Sequence, residues 1–232
     1  LRSGKPVITA NKELLAKHGP ELFEQADQGN LDLLFEAAVA GGIPLMRALR
    51  ESLKGEPIRR VMGIVNGTTN YVLSQMTETG MSYGDALAEA QSAGFAESDP
   101  SADVEGQDAA SKAAIIAMVA FGARLGLSDV TYEGITQISA EDIDFAKRFG
   151  HTIKLLAIAE HDNGEVAVRV HPAMVPDHHP LASVRDSFNA VFVEGEAVGD
   201  LMLYGRGAGG SPTASAVLGD ILAAANNLTQ ST

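Results

Sequence analysis

The sequence predicts an α/β protein in which helices pack on one mixed, open sheet. Two observations predict this class. Apolar residues recur at a period of two in the C-terminal half, and elsewhere they recur at helical spacing. The two kinds of element do not alternate strictly through the middle of the chain, which argues against a purely parallel sheet. With 232 residues, 45% of them hydrophobic, the chain can bury the core of one large domain or two small ones.

The first quarter of the chain alternates strand and helix patterns. We predict a short buried strand at 7–10, a helix at 12–18 ended by Gly19-Pro20, a strand at 31–39 and a helix at 45–53. A buried parallel strand needs neighbours on both sides, and the strand at 7–10 has little chain before it. Because position 1 is not Met, we expect that a preceding sheet lies outside this sequence.

Three helices are predicted in the middle of the chain, after a strand at 58–65. The first, of roughly ten residues, begins at the segment 66–70. The second spans 82–93, with Ser82 as its N-cap and Gly94 at its C-terminal end. The third is rich in alanine, which suits close packing, and we expect it to run without a break from Asp103 to Leu125.

Two strand pairs and a last helix follow. Strands at 154–160 and 166–170 are joined by Asp162-Asn163-Gly164, a typical hairpin turn. A second pair is predicted at 189–194 and 200–204, and a final helix at 212–228.

Composition excludes several classes of function. The formal net charge of −13 disfavours a nucleic-acid partner, because an acidic surface repels phosphates. The chain has no cysteine, which excludes disulfides and thiol chemistry, and no apolar run long enough to span a membrane. We expect a cytoplasmic protein that works without a membrane partner. The six histidines lack the spacing of a transition-metal site.

The densest polar stretch is the segment 94–108. It holds five carboxylates between Glu97 and Asp108 and leads into a helix that carries Lys112. Asp108 and Lys112 are four residues apart and share a helical face. Beside carboxylates in a partly dry site, a lysine can donate or accept a proton. From spacing alone, a solvated surface ion pair is the commoner outcome, so both interpretations stay open.

The same stretch resembles the sequence signature of homoserine dehydrogenases. Eleven residues stand where that signature requires them: Ala90, Gly94, Phe95, Ala96, Asp99, Pro100, Asp103, Val104, Gly106, Asp108 and Lys112. Three further segments, 9–12, 63–70 and 205–210, are similar to the family's nicotinamide-side lysine motif, substrate-side loop and late glycine loop. The resemblance covers nearly the whole chain.

The resemblance implies a role for each site residue. Glu97 and Asp108 would bind the amino group of homoserine, with support from Asp103, and Asn66, Gly67 and Thr68 would line the substrate pocket. Lys112 would hold the reacting oxygen, and both Lys112 and Lys12 are candidates for proton transfer. The cofactor, NAD or NADP, would approach Lys12, Gly94, Glu97 and Gly207. A monovalent cation such as sodium would bind at Glu36, Val39, Gly41 and Ile43, although a simple strand-to-helix turn also explains that segment.

The family pattern also implies a domain organisation. Residues 1–30 would be the last strand and helix of a Rossmann-type dinucleotide-binding domain, 31–205 the catalytic and dimerisation domain, and 206–232 a glycine loop and helix returning to the nucleotide-binding domain. Gly205-x-Gly207-x-x-Gly210 matches the dinucleotide fingerprint, but too few residues follow it for a second strand–helix unit. We interpret it as a glycine turn that completes a cofactor site begun elsewhere. The resemblance therefore implies an active enzyme only together with that nucleotide-binding domain, and it does not imply activity of this chain alone.

The implied reaction is the interconversion of L-homoserine and L-aspartate 4-semialdehyde in threonine, methionine and isoleucine biosynthesis, by a homodimer or a higher homo-oligomer. Two alternatives compete with it. An acylating aldehyde dehydrogenase such as aspartate-semialdehyde dehydrogenase needs a catalytic cysteine, which this chain lacks. A non-catalytic dimerisation or regulatory module would leave Glu97, Asp108 and Lys112 unexplained.

Overall fold

A six-stranded sheet forms the centre of the molecule. The computed structural model describes residues 1–230. The strands are β1 Val7–Ile8, β2 Leu33–Leu34, β3 Ile58–Ile64, β4 Thr131–Tyr132, β5 His151–Asp162, β6 Glu165–Pro176, β7 Phe188–Gly195 and β8 Gly199–Arg206. The helices are α1 Lys12–Gly29, α2 Leu45–Arg47 continued by a π-helical turn Ala48–Ser52, α3 Gly67–Thr79, α4 Tyr83–Ser92, α5 Ser101–Val104, α6 Gln107–Phe121, α7 Ala140–Arg148 and α8 Gly210–Gln230.

The large sheet is mixed, as predicted. Its strand order is β4-β6-β5-β3-β7-β8, with β4 parallel to β6 and the other neighbours antiparallel. The two predicted strand pairs are confirmed as the hairpins β5–β6 and β7–β8, and both are longer than expected. The short strands β1 and β2 form a separate parallel pair.

Alternate residues of each strand face opposite sides of the sheet. Val61 and its register partners Ala159 and Val193 point into the main core, where α3 and α6 lie against β5. Met62, the next residue of β3, points to the opposite face of the sheet. Together with its register partners Ile158 and Phe192 it belongs to a smaller apolar cluster on that face. Helices therefore cover mainly one face of the sheet.

The alanines of α6 permit the close packing that the sequence predicts. They are buried, and α1 crosses α6 at Gly19, where a side chain would collide with the sulfur of Met118 at 2.6 Å. The helix predicted at 12–18 is confirmed, because the backbone leaves helical geometry at His18 (φ −129°, ψ 17°), directly before Gly19-Pro20. A second helical stretch, which was not expected, follows at once and runs to Gly29, so that α1 consists of two helical stretches joined at a kink.

Three predictions need correction. The strand expected at 31–39 is confined to β2, because the backbone amide of Glu36 turns away to donate to Asp220 at 2.8 Å. The helix expected from Asp103 to Leu125 is two helices, α5 and α6, separated at Gly106. Helix α7 was not predicted, although Ser139 caps it.

The other helix predictions are confirmed, including the Ser82 cap of α4, which accepts from the amide of Asp85. Across the described part of the chain, every helix is too short or too polar to cross a bilayer.

Candidate active site

Asn66 follows the end of strand β3 and lies at the centre of the site. Its side-chain oxygen accepts from the backbone amide of Thr69 at 2.9 Å and so caps α3. The cap fixes the orientation of the side chain, because the amide nitrogen then points away from the helix. Asn66 is 5% exposed, so this donor needs protein acceptors.

Two carboxylates supply those acceptors. The side-chain nitrogen of Asn66 lies 2.6 Å from Asp103 Oδ1 and 2.8 Å from Asp108 Oδ2. In one continuous helix, residues five apart would point about 140° away from each other. The break at Gly106 removes that restriction. Gly106 has φ +89°, and a side chain there would lie 3.0 Å from the carbonyl oxygen of Glu133. Glycine at this position therefore lets both aspartates face one amide.

Two lysines meet the same aspartate. Lys112 Nζ lies 2.7 Å from Asp108 Oδ2 and donates to the carbonyl oxygen of Val65 at 2.8 Å, and Lys12 Nζ lies 3.4 Å from Asp108 Oδ1. The side chains of Lys112 and Asp108 are 14% and 10% exposed, so this is not a solvated surface pair. Burial alone would raise the pKa of Asp108, but Lys112, Asn66 and Lys12 outweigh it and hold that pKa below its ordinary value.

The loop before α5 borders this cluster and carries Glu97. Thr68 Oγ1 lies 2.7 Å from the carbonyl oxygen of Phe95 and 3.1 Å from Asp103 Oδ2. The Phe95 ring stacks on Tyr71 with centroids 4.5 Å apart, and Gln91 donates to the carbonyl oxygen of Glu97 at 3.1 Å. The Glu97 residue is exposed. The loop thus lies beside the cluster, but the structure does not bring the Glu97 carboxylate into it.

Gly94 begins this loop with φ +78°, the left-handed conformation that ends a helix. A side chain added to Gly94 would meet no atom within 4 Å. Its neighbourhood is therefore open, which leaves room for a ligand at the position where the sequence predicts a cofactor contact.

The late glycine turn reaches the site through the start of β7. Gly207 lies directly over Asn189, since a side chain on Gly207 would be 1.9 Å from Asn189 Nδ2. Gly67 in turn packs on Ser187, whose carbonyl oxygen would be 2.8 Å from an added Cβ. Ser187 and Asn189 are two residues apart, about 7 Å in an extended chain. The substrate-side loop and the glycine turn are therefore neighbours.

The residues on the cofactor side are suited to an anionic dinucleotide. The glycine run leads from β8 directly into α8 at Gly210, and a helix N-terminus favours phosphate. Asn189 is 1% exposed, and its Oδ1 atom has no hydrogen-bond partner among the described residues. An acceptor without a partner beneath Gly207 is consistent with a donor supplied by a ligand or by water.

The predicted sodium ligands lie in one turn, and Glu36 has a clear structural role there. Its carboxylate oxygens accept from the backbone amides of Met46 at 2.8 Å and Arg47 at 2.9 Å. Burial raises the pKa of this carboxyl group, although the two amides oppose that effect. Gly41 has φ +38° and packs on the carbonyl oxygen of Gly207. These contacts explain Glu36 and Gly41 without a cation, and the sodium site stays a prediction.

Sequence reasoning missed two polar residues next to the site, Lys154 and Asn70. Both are 2% exposed, and Lys154 Nζ lies 3.0 Å from Asn70 Oδ1. A signal was present, because Lys154 lies between Ile153 and the apolar run 155–159. Its partner could not be predicted, since 84 residues separate the two in sequence.

Comparison with known proteins points to one family. The sequence profile described as "Homoserine dehydrogenase" matches residues 44–222. A homoserine dehydrogenase of Corynebacterium glutamicum is 59% identical over 232 residues, which cover 98% of this chain and 52% of the relative. One from Bacillus subtilis is 51% identical over 228 residues, covering 98% of this chain and 53% of the relative.

Solved structures agree with the sequences. A homoserine dehydrogenase of Thiobacillus denitrificans has a TM-score of 0.96 at 45% identity, covering 99% of this chain and 53% of that one. A hyperthermophilic archaeal homoserine dehydrogenase, solved in complex with NADPH, has a TM-score of 0.83 at 32% identity, with coverages of 97% and 65%. The chain thus spans about half the length of the curated relatives it matches.

Proposed function

Because the chain belongs to the homoserine dehydrogenase family, we propose that it forms the substrate side of an enzyme interconverting L-homoserine and L-aspartate 4-semialdehyde. The observation that carries the proposal is a single cluster, in which Asp103 and Asp108 share the Asn66 amide. Lys112 and Lys12 both contact Asp108. Asp108 and Lys112 are largely shielded from water, and Lys12 is the most exposed of the charged groups that contact Asp108. The cluster offers negative carboxylates for the ammonium group of an amino acid that carries an alcohol, and positive ammonium groups for the oxygen atoms of that substrate.

The acidic residues are proposed to bind the substrate ammonium group. Asp103 and Asp108 are oriented by Asn66, so they offer fixed acceptors on the floor of the site. Glu97 lies on the bordering loop and is the more exposed acceptor. We infer that the exposed Glu97 side chain becomes ordered when its carboxylate pairs with the ammonium group of the substrate, and that it then covers that group.

Lys112 is proposed to hold the reacting oxygen. Two of its three donors are used by Asp108 and by the carbonyl oxygen of Val65, which leaves one for the substrate alcohol. In the reducing direction Lys112 donates the proton of that third N–H to the carbonyl oxygen while hydride is added to the carbonyl carbon. In the oxidising direction Lys112 first releases that proton to solvent, and the neutral amine then takes up the hydroxyl proton of the alcohol while the carbon-bound hydride leaves with both electrons. The nicotinamide cofactor, when bound, accepts that hydride.

Lys12 is the rival for proton transfer. It is farther from Asp108 and 34% exposed, so we infer an electrostatic role for it. Lys12→Arg keeps the charge but not a readily released proton, and Lys12→Ala removes both. Under our proposal Arg restores most of the activity that Ala loses. Equal losses in the two variants would instead assign proton transfer to Lys12.

The nucleotide is proposed to bind between this chain and a nucleotide-binding half, with NAD or NADP near Lys12, Gly94, Glu97 and Gly207. The proposed boundaries are those predicted above: 1–30, 31–205 and 206–232. Helix α8 supports this arrangement, because three apolar side chains on one face are each about half exposed: Leu218, Ile221 and Leu222. A surface of this kind is suited to packing against another domain.

We further propose a homodimer formed through the face of the sheet that the helices leave open. Met202 and Tyr204 in β8 are 36% and 53% exposed on that face, where they pair in register with Phe192 and Ala190. We place the enzyme in the cytoplasm, in the threonine, methionine and isoleucine branch of metabolism. The absence of cysteine is compatible with that compartment.

A substrate comparison tests the proposal. The natural polypeptide that carries this sequence is assayed for NADH or NADPH formation with L-homoserine, with L-serine, which is one methylene shorter, and with 1-butanol, which lacks both charged groups. We expect homoserine to be preferred by roughly tenfold or more over serine, and 1-butanol to be inert. No reaction with homoserine, or equal rates with 1-butanol, would contradict the proposal.

A further inference from the structure

Lys154 is a buried cation beside the site that the proposed reaction does not use. It lies on β5, three residues before Ala157, where the pairing of β5 with β3 ends. Strand β5 therefore extends past the end of β3, to the level at which Asn66 begins α3. The Lys154 residue is 2% exposed.

The ammonium group joins helix α3 to the segment 184–188. Lys154 Nζ donates to Asn70 Oδ1 and to the carbonyl oxygen of Val184. With its oxygen engaged, Asn70 turns its amide nitrogen to carbonyl oxygens of the same segment: Val184 at 3.3 Å, Asp186 at 2.9 Å and Phe188 at 3.3 Å. Every polar atom of the two side chains is thus directed at this junction.

The segment 184–188 in turn supports the first turn of α3. Gly67 packs on the carbonyl oxygen of Ser187 closely enough to exclude a side chain. Gly67 directly follows Asn66, whose amide aligns Asp103 and Asp108. A shift of segment 184–188 would therefore move Asn66 and both aspartates.

Stability alone does not account for this lysine. Its ammonium group contacts no carboxylate among residues 1–230, and the charged groups near it are Arg185, Glu78 and Asp186, of which Arg185 pairs with Glu78. Burial, together with Arg185, lowers the pKa of Lys154 to about 8. A buried charge without an ion partner costs stability, and an apolar side chain of similar volume often replaces one without loss.

We propose that Lys154 is a positioning residue for the substrate. Through Asn70 and the Val184 carbonyl group it holds the start of α3 against segment 184–188, so that Asn66 presents Asp103 and Asp108 correctly to homoserine. The inference rests on the proposed function and adds a residue that touches neither substrate nor cofactor.

Lys154→Met, in the natural polypeptide, separates positioning from stability. We expect the KM for homoserine to rise and kcat/KM to fall by about tenfold to a hundredfold, the usual effect of a misplacement of about 1 Å. The KM for the nucleotide and the melting temperature should change little. A lower melting temperature with an unchanged homoserine KM would mean a purely structural role and would overturn the proposal.

A double-mutant cycle adds a second criterion. If Lys154 acts through Asn70, then Lys154→Met combined with Asn70→Leu loses no more efficiency than the worse single variant. Losses that simply multiply would contradict the proposal. Arg169→Met is the matched control, because it removes a cation from the neighbouring strand β6, away from the site, and should leave the homoserine KM unchanged.

Two further results must be distinguishable from a failure of this inference: a variant that does not fold, and a wild-type protein without the proposed activity. If Lys154→Met does not fold, Lys154→Gln keeps an amide donor and should show a smaller rise in the homoserine KM; an unchanged KM there would overturn the proposal. A wild-type protein that does not oxidise homoserine would refute the proposed function and this inference together. An active wild type with unchanged Lys154→Met kinetics would refute this inference alone.

Discussion

Asp103 and Asp108 accept hydrogen bonds from the same side-chain nitrogen, that of Asn66, at 2.6 and 2.8 Å. Two carboxylates this close repel each other unless donors or cations lie between them. The neutral amide supplies the donor, and Lys112 and Lys12 supply the cations. This arrangement keeps Asp108 ionised in a site that is largely dry.

Asn66→Asp tests the shared amide. Aspartate still caps α3, so the protein should fold, but a third carboxylate replaces the donor between the other two. We expect kcat/KM for homoserine to fall about a hundredfold. Asn163→Asp, in the turn between β5 and β6, is the matched control and should have no effect. Equal kinetics in the two variants would show that the amide is not needed.

Gly106→Ala tests the break between α5 and α6. The left-handed backbone disfavours a side chain by about 1–2 kcal/mol, and contact with the Glu133 carbonyl group adds to that cost. Gly122→Ala is the control, because Gly122 has φ +64° but open space around it. Urea unfolding should show a larger loss of stability for Gly106→Ala, together with lower activity. Equal losses would mean that the contact with Glu133 is unimportant.

The pH dependence of stability reports on Lys154. Its pKa is about 8 in the folded protein, against an ordinary value of 10.5. Between these values the unfolded chain binds more protons, so the free energy of unfolding should rise with pH, by up to about 3 kcal/mol. Lys154→Met should lack this rise. Urea titrations of both proteins between about pH 8 and pH 10 measure the difference, and parallel curves would contradict the prediction.

Met202→Glu tests the proposed dimer. Met202 is 36% exposed on the uncovered face, where it pairs with Phe192 in register. A charge there should shift the protein from dimer to monomer in light scattering after size exclusion, because a buried unpaired carboxylate is costly. Phe145→Glu, on the helical side of the sheet, is the matched control. A dimer that persists in Met202→Glu would place the interface elsewhere.

Elements with local signals were predictable from the sequence. The Ser82 cap and the Asn163-Gly164 turn are specified by neighbouring residues, and both lie where expected. Helix α7 had a comparable signal, because Ser139 and Asp142 form a capping box, but it was overlooked.

Where the predicted bounds of a helix differ from the structure, the bounds depend on contacts with residues that are distant in sequence. Gly106 is a weak helix former, so a local signal for a break is present, but the alanine-rich sequence after it favours a long helix, and the close contact with Glu133 lies outside the local sequence. At Gly19-Pro20 the local signal correctly indicates an interruption, but it does not indicate the second helical stretch of α1, which follows directly and runs to Gly29. For the site, spacing predicted the pairing of Asp108 with Lys112. The role of Asn66 as a shared donor depends on residues 37 and 42 positions away.

We propose above that the cluster around Asp108 and Lys112 carries out chemistry on homoserine. The rate of nicotinamide reduction by Lys112→Ala measures this, and Lys147→Ala, on the exposed side of α7, is the control. We expect kcat to fall by about a hundredfold to ten-thousandfold in Lys112→Ala and to stay unchanged in Lys147→Ala. Near-normal turnover by a folded Lys112→Ala protein would show that Lys112 does not take part in the reaction.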